Sequence, residues 1–307
     1  MVFPLLYKIL QLFAVMVIGF ALVKLGLVKS EDSTALSRAS LYILMPCAII
    51  NSFNISLTSD IILGLALAFG AGIVIHLLLL AVDAVYRKAM KASAVERASV
   101  FYSNAANLII PIVSFVLGGE WVIYSLGFMT VQLVFIWSHG IGIFEGGKGV
   151  RLKKILLNPS ILAIALGLCI LVSGFRLPEF VADITASLGE VLGYVGMLIA
   201  GMTAARLDFM KLLKNARLYF TVIMRVVVCP ALVLVLLKTA LLFITVANAD
   251  KILLISFLAT TTPAAATVMQ LSQLYDMEVD YAVGINILTT IVSCATMPIF
   301  VTVYQMI

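Results

Sequence analysis

The chain has 307 residues, of which 63% are hydrophobic and only 11% charged, and its net charge is +5. A soluble domain is about half apolar and a quarter charged, so this composition excludes a chain that exposes its whole surface to water. A membrane-spanning helix needs about 20 apolar residues, which leaves room for roughly ten such helices and no separate catalytic domain. We therefore expect an all-α membrane protein that is not an enzyme.

Ten apolar segments follow one another along the chain, with short polar loops between them. The predicted spans are residues 5–27, 34–53, 60–83, 97–117, 121–144, 158–175, 185–204, 216–243, 251–273 and 279–305. None of the polar stretches between them is long enough to form a core of its own. The chain is therefore predicted to be a single transmembrane unit over residues 1–307.

Alternate loops differ in charge. Three or four basic residues follow spans one, three, five and seven, whereas the other loops contain only Arg176 and Lys251. The basic residues are Lys24, Lys29, Arg38, Arg87, Lys88, Lys91, Arg97, Lys148, Arg151, Lys153, Lys154, Arg206, Lys211, Lys214 and Arg217. Lys and Arg resist translocation, so these loops should be cytoplasmic. We predict a multi-pass protein of the cell inner membrane with both termini periplasmic or extracellular, and no nucleic-acid partner.

Ten spans with both termini on one side divide into two halves of five, residues 1–150 and 151–307. Because five is an odd number, the second half enters the membrane from the opposite side, as in many secondary transporters. Residues 19–26 in span one and 167–174 in span six each begin and end with glycine. We predict two inverted five-helix repeats.

Spans four and nine each combine a polar cluster with a proline, Pro111 in one and Pro263 in the other. Proline removes a backbone hydrogen bond from a helix, and in lipid the freed groups need partners. The pattern predicts two interrupted helices that cross at mid-membrane, with N-termini that favour an anion such as a carboxylate. Alternatively, both prolines only kink packed helices. The predicted substrate-binding residues are Asn104, Asn107, Pro111, Thr260, Thr261, Thr262, Pro263, Thr267 and Arg225.

Several ionisable residues lie inside predicted spans, where charge is costly and often functional. Arg225 in span eight is expected to neutralise a substrate carboxylate or an acidic side chain, unless it snorkels to the interface. His76, Asp83, His139 and Glu190 are candidates for proton or ion coupling, although histidines in membranes are often packing residues. The coupling ion is expected to be H⁺ or Na⁺.

No metal site or other cofactor is predicted. The four cysteines are too widely spaced along the chain for a metal cluster, and each lies inside an apolar run. They are Cys47, Cys169, Cys229 and Cys294.

Short motifs occur in order along nearly the whole chain. They are Leu41–Pro46, Asn104–Pro111, Asn158–Pro159, Thr262–Thr267 with Tyr275, and Thr289, Thr290 and Pro298 in the last span. This order resembles the auxin efflux carrier family, which includes bacterial malate and malonate permeases and plant auxin carriers. Ala106 and Ile109 replace glycines of the family motif, while Ala264 and Thr267 replace a proline and an asparagine. The resemblance therefore leaves the substrate open.

The resemblance implies the fold of sodium–proton antiporters and bile-acid symporters. Spans one, two, six and seven would form a scaffold that can form a homodimer, and spans three to five and eight to ten a transport domain. An organic carboxylate would bind where spans four and nine cross, with Asn104 at the carboxylate and Pro111 and Pro263 breaking the helices.

We therefore predict a secondary active transporter of small organic anions that works by alternating access, of which an elevator movement is one form. A proton or sodium gradient, or substrate exchange, would drive it. The alternative is a sodium–proton antiporter of the same fold, but no acidic residue adjoins Pro111 or Pro263 in the sequence. A channel or membrane sensor is a third class.

Overall fold

The computed structural model describes residues 2–55, 58–146, 157–207, 210 and 214–307. These residues are helical throughout and contain no strand, apart from one isolated antiparallel bridge between Ser103 and Ala264. Five of the predicted loop residues lie outside the described ranges: Lys148, Arg151, Lys153, Lys154 and Lys211.

The helices are numbered here in chain order. They are α1 Val2–Lys24, α2 Ser30–Ser52, α3 Ser59–Met90, α4 Ala94–Phe101, α5 Ala105–Val116, α6 Gly119–Phe144, α7 Pro159–Ser173, α8 Glu179–Ala204, α9 Ala216–Leu241, α10 Ala249–Thr261, α11 Ala266–Leu274 and α12 Val279–Met306. Each predicted span overlaps one or two of them. Predicted span four corresponds to α4 and α5, and predicted span nine to α10 and α11.

Within the described residues, seven helices are long and apolar enough to cross a membrane: α1, α2, α3, α6, α8, α9 and α12. Their outward faces carry large apolar side chains, as in Leu63 and Val235, which are 54% and 67% exposed. Exposing so much apolar surface is unfavourable in water, whereas it is not in the hydrocarbon core of a membrane. The chain is a multi-pass membrane protein. Its α3 continues about two turns past the predicted end at residue 83, because Arg87 and Lys88 extend the helix beyond its apolar part.

The helices pack in two sets of neighbours that also contact each other, since α1 and α8 both contact α5 and α12. Helix α1 lies along the second half of α8, where Gly19 and Gly201 allow the two backbones to approach closely. Helix α2 packs against α7 and the first half of α8. Helix α3 packs along α6, again over a glycine, since Gly127 lies against the backbone of Ala68. Helices α9, α10 and α12 contact one another, and α10 also contacts α3 and α6.

Proline interrupts only one of the two helices in which an interruption was expected. Pro263 lies in the gap between α10 and α11, but Pro111 lies inside the continuous helix α5. The expectation that Pro111 breaks its helix is therefore wrong. The helix is interrupted about two turns earlier, at residues 102–104, because the chain there adopts extended backbone and pairs with residues near Pro263. Around Pro111 the helix continues, and the ring packs against Gly193 of α8.

Candidate functional site

The break between α4 and α5 lies directly against the break between α10 and α11. The backbone N–H of Asn104 donates to the carbonyl oxygen of Pro263 at 2.8 Å, and the N–H of Ala265 donates to the carbonyl oxygen of Tyr102 at 3.0 Å. These two hydrogen bonds satisfy backbone groups that neither helix can satisfy internally. The two breaks are therefore held together as one unit, which we call the crossing.

Side chains from the next helix along the chain satisfy the middle residue of each break. Gln132 of α6 accepts from the Ser103 N–H at 3.0 Å and donates to the Ser103 carbonyl at 2.8 Å. In the other break, Asn286 of α12 donates to the Ala264 carbonyl at 2.6 Å, and Thr289 accepts from the Ala264 N–H at 3.1 Å. All these groups are buried, so the crossing is a preformed polar element inside apolar surroundings.

Arg225 of α9 closes one side of the crossing. Its fully buried guanidinium donates to the carbonyl of Val100 at 3.3 Å and to the carbonyls of Thr260 and Thr262 at 2.6 and 2.9 Å. These carbonyls belong to the C-terminal ends of α4 and α10, which carry the negative ends of the helix dipoles. One arginine therefore neutralises both half-helices that end at the crossing.

This position does not suit the substrate contact expected of Arg225. The residue lines neither of the cavities beside the crossing, and it forms no ion pair among the described residues. Because Arg225 offsets the two negative ends, the dipoles left uncompensated are those of α5 and α11. Both of these helices begin at the crossing and present positive N-termini there.

The hydroxyls of Thr260, Thr261 and Thr262 also point away from a substrate. Each donates to a carbonyl three or four residues earlier in its own helix, at 2.8–3.1 Å, and each residue is at most 1% exposed. Threonine in a helix commonly satisfies its hydroxyl in this way. The threonines contribute their backbone carbonyls to the crossing, and their side chains are unavailable to a ligand in this conformation.

A cavity of about 280 Å³ lies beside the N-termini of α5 and α11. It is bounded by α2, α5, α8 and α11, and Asn107, Thr267, Gln270 and Arg38 are among its lining residues. We call it the Arg38 cavity. The Asn107 amide donates to the side-chain oxygen of Asn104 at 3.0 Å, so Asn104 is coupled to the cavity through Asn107. Two of the predicted substrate residues, Asn107 and Thr267, thus share one cavity.

A second cavity, of about 360 Å³, lies one turn farther along the same face of helix α5. Its lining includes Lys8, Asn51, Pro111, Ser114 and Glu190. We call it the Lys8 cavity. Its lining includes Pro111, one of the predicted substrate-binding residues, and Glu190, one of the predicted coupling residues.

One turn of α5 separates the two cavities, and it packs against glycines of α8. A β-carbon added to Gly196 would lie 3.3 Å from the β-carbon of Asn107, and one added to Gly193 would lie 2.8 Å from the γ-carbon of Pro111. Glycine therefore lets α5 approach α8 closely at this point. A side chain at Gly193 would require the Pro111 ring or one of the helices to shift, whereas one at Gly196 would make a tight contact with Asn107.

Two of the predicted coupling residues form a network that reaches the crossing. Arg97 donates to both carboxylate oxygens of Asp83 at 2.9 and 2.6 Å, and Nε2 of His139 lies 3.4 Å from Asp83. Nδ1 of His139 is 2.9 Å from the hydroxyl of Tyr102, whose backbone belongs to the crossing. A third cavity, of about 350 Å³, reaches His139 between Arg87 and Arg97.

His76 stands apart from this network. It is fully buried, its Nδ1 is 2.7 Å from the carbonyl of Gly72, and its ring lies 4.8 Å from Phe128 and 5.3 Å from Phe135. This environment is that of a packing residue between α3 and α6. Across the described ranges, no group of three His, Cys, Asp or Glu residues is placed to hold a metal ion.

Six residues that matter to this geometry were not among the predicted site residues: Lys8, Arg38, Tyr102, Gln132, Asn286 and Thr289. Gln132 and Asn286 carried a usable signal, because each is an amide side chain in the apolar span that follows an interrupted one. Tyr102 carried none, since its role depends on where the helix breaks.

The helices are long enough to span a membrane, and they contain buried polar breaks with cavities beside them. These are features of a membrane transport protein. The family model described as membrane transport protein matches residues 4–151 and 148–301. The chain belongs to this family, the auxin efflux carrier family, and is a membrane transporter. A search of curated proteins finds no significant match.

Proposed function

We propose that this transporter is a secondary active carrier of small organic anions that works by alternating access. The observation that carries the proposal is the arrangement of four half-helices around the crossing. Arg225 neutralises the C-termini of α4 and α10, while the N-termini of α5 and α11 keep their positive dipole ends beside a polar cavity. A carboxylate suits such a site, because its negative charge would lie beside two positive helix ends.

The lining of the Arg38 cavity supports a carboxylate guest. Asn107 and Thr267 offer hydrogen-bond donors, and Arg38 is the only charged side chain among the described lining residues. A cavity of about 280 Å³ suits a mono- or dicarboxylate with a short carbon chain. We propose Asn104, Asn107, Thr267 and Arg38 as the groups that orient it, with Asn104 acting through Asn107.

We further propose ten spans arranged as two inverted repeats, residues 1–150 and 151–307. The matched bonding of the two breaks supports this arrangement. Gln132 serves Ser103 in the first half, and Asn286 serves Ala264 in the second, each from the helix that follows its break. The two segments matched by the family model also meet near residue 150.

Within that architecture α1, α2, α7 and α8 form the scaffold, which can form a homodimer, and α3–α6 and α9–α12 form the transport domain. The contacts of α1 with α8, and of α2 with α7 and α8, support the scaffold. The glycine contacts of Gly193 and Gly196 with α5 lie at the boundary between the two units. A smooth boundary of this kind suits an elevator movement. Both termini remain predicted to be periplasmic or extracellular.

For coupling we propose protons. The contacts from Asp83 through His139 to Tyr102 link a cavity to the crossing through groups that can transfer a proton. A sodium–proton antiporter of the same fold is the alternative. Among the described residues no acidic side chain bonds to either break, which favours the anion carrier.

Reconstituted protein tests the proposal. Purified protein in liposomes is expected to take up a labelled mono- or dicarboxylate under a proton gradient or against a counter-substrate. The variant Asn107→Asp keeps the side-chain size but adds a negative charge to the Arg38 cavity, so it should abolish uptake. Asn248→Asp makes the same change at an exposed position before α10 and should leave uptake unchanged. Failure of the wild-type protein to move any carboxylate under any imposed gradient would refute the proposal.

A further inference from the structure

Lys8 is a buried cation inside the first membrane helix. The residue is 7% exposed, and its ammonium donates to the hydroxyl of Tyr194 at 2.8 Å. The same ammonium lies 4.5 Å from the ring centroid of Tyr194 and 5.4 Å from that of Phe115. Among the described residues it forms no ion pair. A lysine kept in this setting is costly, and such residues commonly mark the path of a ligand.

The Lys8 cavity gives this cation access to a ligand. Lys8 is its only basic lining residue and Glu190 its only acidic one, over the part of the chain that the structure describes. Glu190 is exposed, Lys8 is buried, and no ion pair joins the two side chains. The Lys8 ammonium is therefore not neutralised by direct contact with this carboxylate. An ammonium has three protons, and the bond to Tyr194 uses one of them.

Each of the two cavities beside the crossing therefore contains a cation, Arg38 in one and Lys8 in the other. The turn of α5 from Asn107 to Pro111 separates them, with Asn107 in the first lining and Pro111 in the second. A substrate that leaves Asn107 and passes this turn enters the cavity that contains Lys8.

We infer that the Lys8 cavity is a second anion-binding subsite, in which the Lys8 ammonium binds a carboxylate of the transported substrate. This inference rests on the proposed function and adds a residue of α1 to it. Lys8 is joined to α8 through Tyr194, so the ammonium belongs to the proposed scaffold, whereas Pro111 and Phe115 on the facing wall belong to the proposed transport domain. Its role is to hold the anion one turn farther along α5 than the Arg38 cavity.

The test is saturable uptake of a labelled dicarboxylate into liposomes by four forms of the full chain. Lys8→Gln removes the charge but keeps a donor for Tyr194, and it is expected to raise KM about tenfold or more, as befits a lost charge-assisted hydrogen bond. The maximum rate should change little. Lys8→Arg should restore a KM near that of the wild type.

Lys24→Met is the matched control. Lys24 is also a lysine of α1 that lies over an aromatic ring, 5.6 Å from the centroid of Phe20, but it lines neither cavity. It should transport as the wild type does. If Lys8→Gln does not fold, as judged by size-exclusion chromatography, Lys8→Met is measured in the same uptake assay. If neither variant folds, Lys8 has a structural role and the subsite proposal is overturned.

The outcomes separate the two proposals. Uptake by the wild type with an unchanged KM in Lys8→Gln would overturn the subsite and leave the carrier function standing. A reduced maximum rate with unchanged KM would show a structural role for Lys8, with the same consequence. Absence of carboxylate uptake by the wild type would overturn both proposals.

Discussion

Arg225 and Thr260 are joined by a hydrogen bond of 2.6 Å between a guanidinium nitrogen of α9 and the carbonyl at the end of α10. Because the same guanidinium also bonds the end of α4, one side chain ties together three helices that are separated in sequence. A cation at the C-termini of two half-helices stabilises their dipoles, and burial makes the interaction strong. The anion-binding site that we propose on the opposite side depends on this arrangement.

Replacing Arg225 should therefore damage both stability and transport. Arg225→Met keeps much of the apolar stem but leaves three buried carbonyls without their donor, which should cost about 3 kcal/mol or more. Arg225→Lys keeps the charge but not the fork of donors, and should be intermediate. Thermal unfolding in detergent measures the effect. The control is Arg206→Met, at an exposed position after α8, which should unfold like the wild type. An Arg225→Met protein with unaltered unfolding would contradict this account.

Several features of the fold could be predicted from the sequence because they are local or compositional. Long apolar runs predict membrane helices, and the polar clusters with proline in spans four and nine indicate two segments of special structure. The structure brings these two segments together. The family resemblance is confirmed by the family model. Substrate, coupling ion and sidedness stay predictions.

What could not be predicted depends on contacts between distant residues. Proline marks a possible break, yet α5 continues through Pro111 and the break lies at residues 102–104, where pairing with Pro263 decides the backbone. Likewise, the sequence shows that Arg225 needs a partner inside the membrane but not that its partners are backbone carbonyls. The threonines before Pro263 looked like ligands because hydroxyls are polar, although a helix satisfies them internally.

The matched roles of Gln132 and Asn286 lead to a paired prediction. Gln132→Leu and Asn286→Leu each leave buried backbone groups of one break unsatisfied, so each should lower the free energy of unfolding by about 1–3 kcal/mol. Gln132 makes three hydrogen bonds to Ser103, whereas Asn286 makes one to Ala264, so the loss should be larger in Gln132→Leu. Chemical or thermal unfolding of both variants measures this. Gln11→Leu, at a half-buried position of α1, provides a control expected to be nearly neutral. A loss in Asn286→Leu that exceeds the loss in Gln132→Leu would contradict this account.

The close approach of α5 to α8 predicts that Gly193 cannot be enlarged freely. In Gly193→Ala the new β-carbon would lie 2.8 Å from the γ-carbon of Pro111, so the helices must separate or α5 must shift. We expect the uptake rate to fall severalfold while the purified protein remains monodisperse. Gly70→Ala makes the same change where nothing lies within 4 Å, and should be neutral or slightly stabilising. Equal uptake by both alanine variants would show that α5 does not need this approach.

The contacts from Asp83 to Tyr102 predict a separation of proton coupling from substrate movement. Tyr102→Phe removes the hydroxyl that lies 2.9 Å from His139. His139→Gln removes the imidazole ring that lies beside Asp83. The other charged side chains nearby are Arg97 and Arg87. Both variants should lose most uptake driven by a proton gradient, because each breaks the contacts that run from Asp83 through His139 to the Tyr102 hydroxyl, which itself donates to the carbonyl of Phe135. Exchange of labelled for unlabelled substrate needs no net proton movement and should persist. Tyr7→Phe, at an exposed position of α1, is the matched control and should retain both activities. If the His139 and Tyr102 variants keep full gradient-driven uptake, the coupling ion travels by another route.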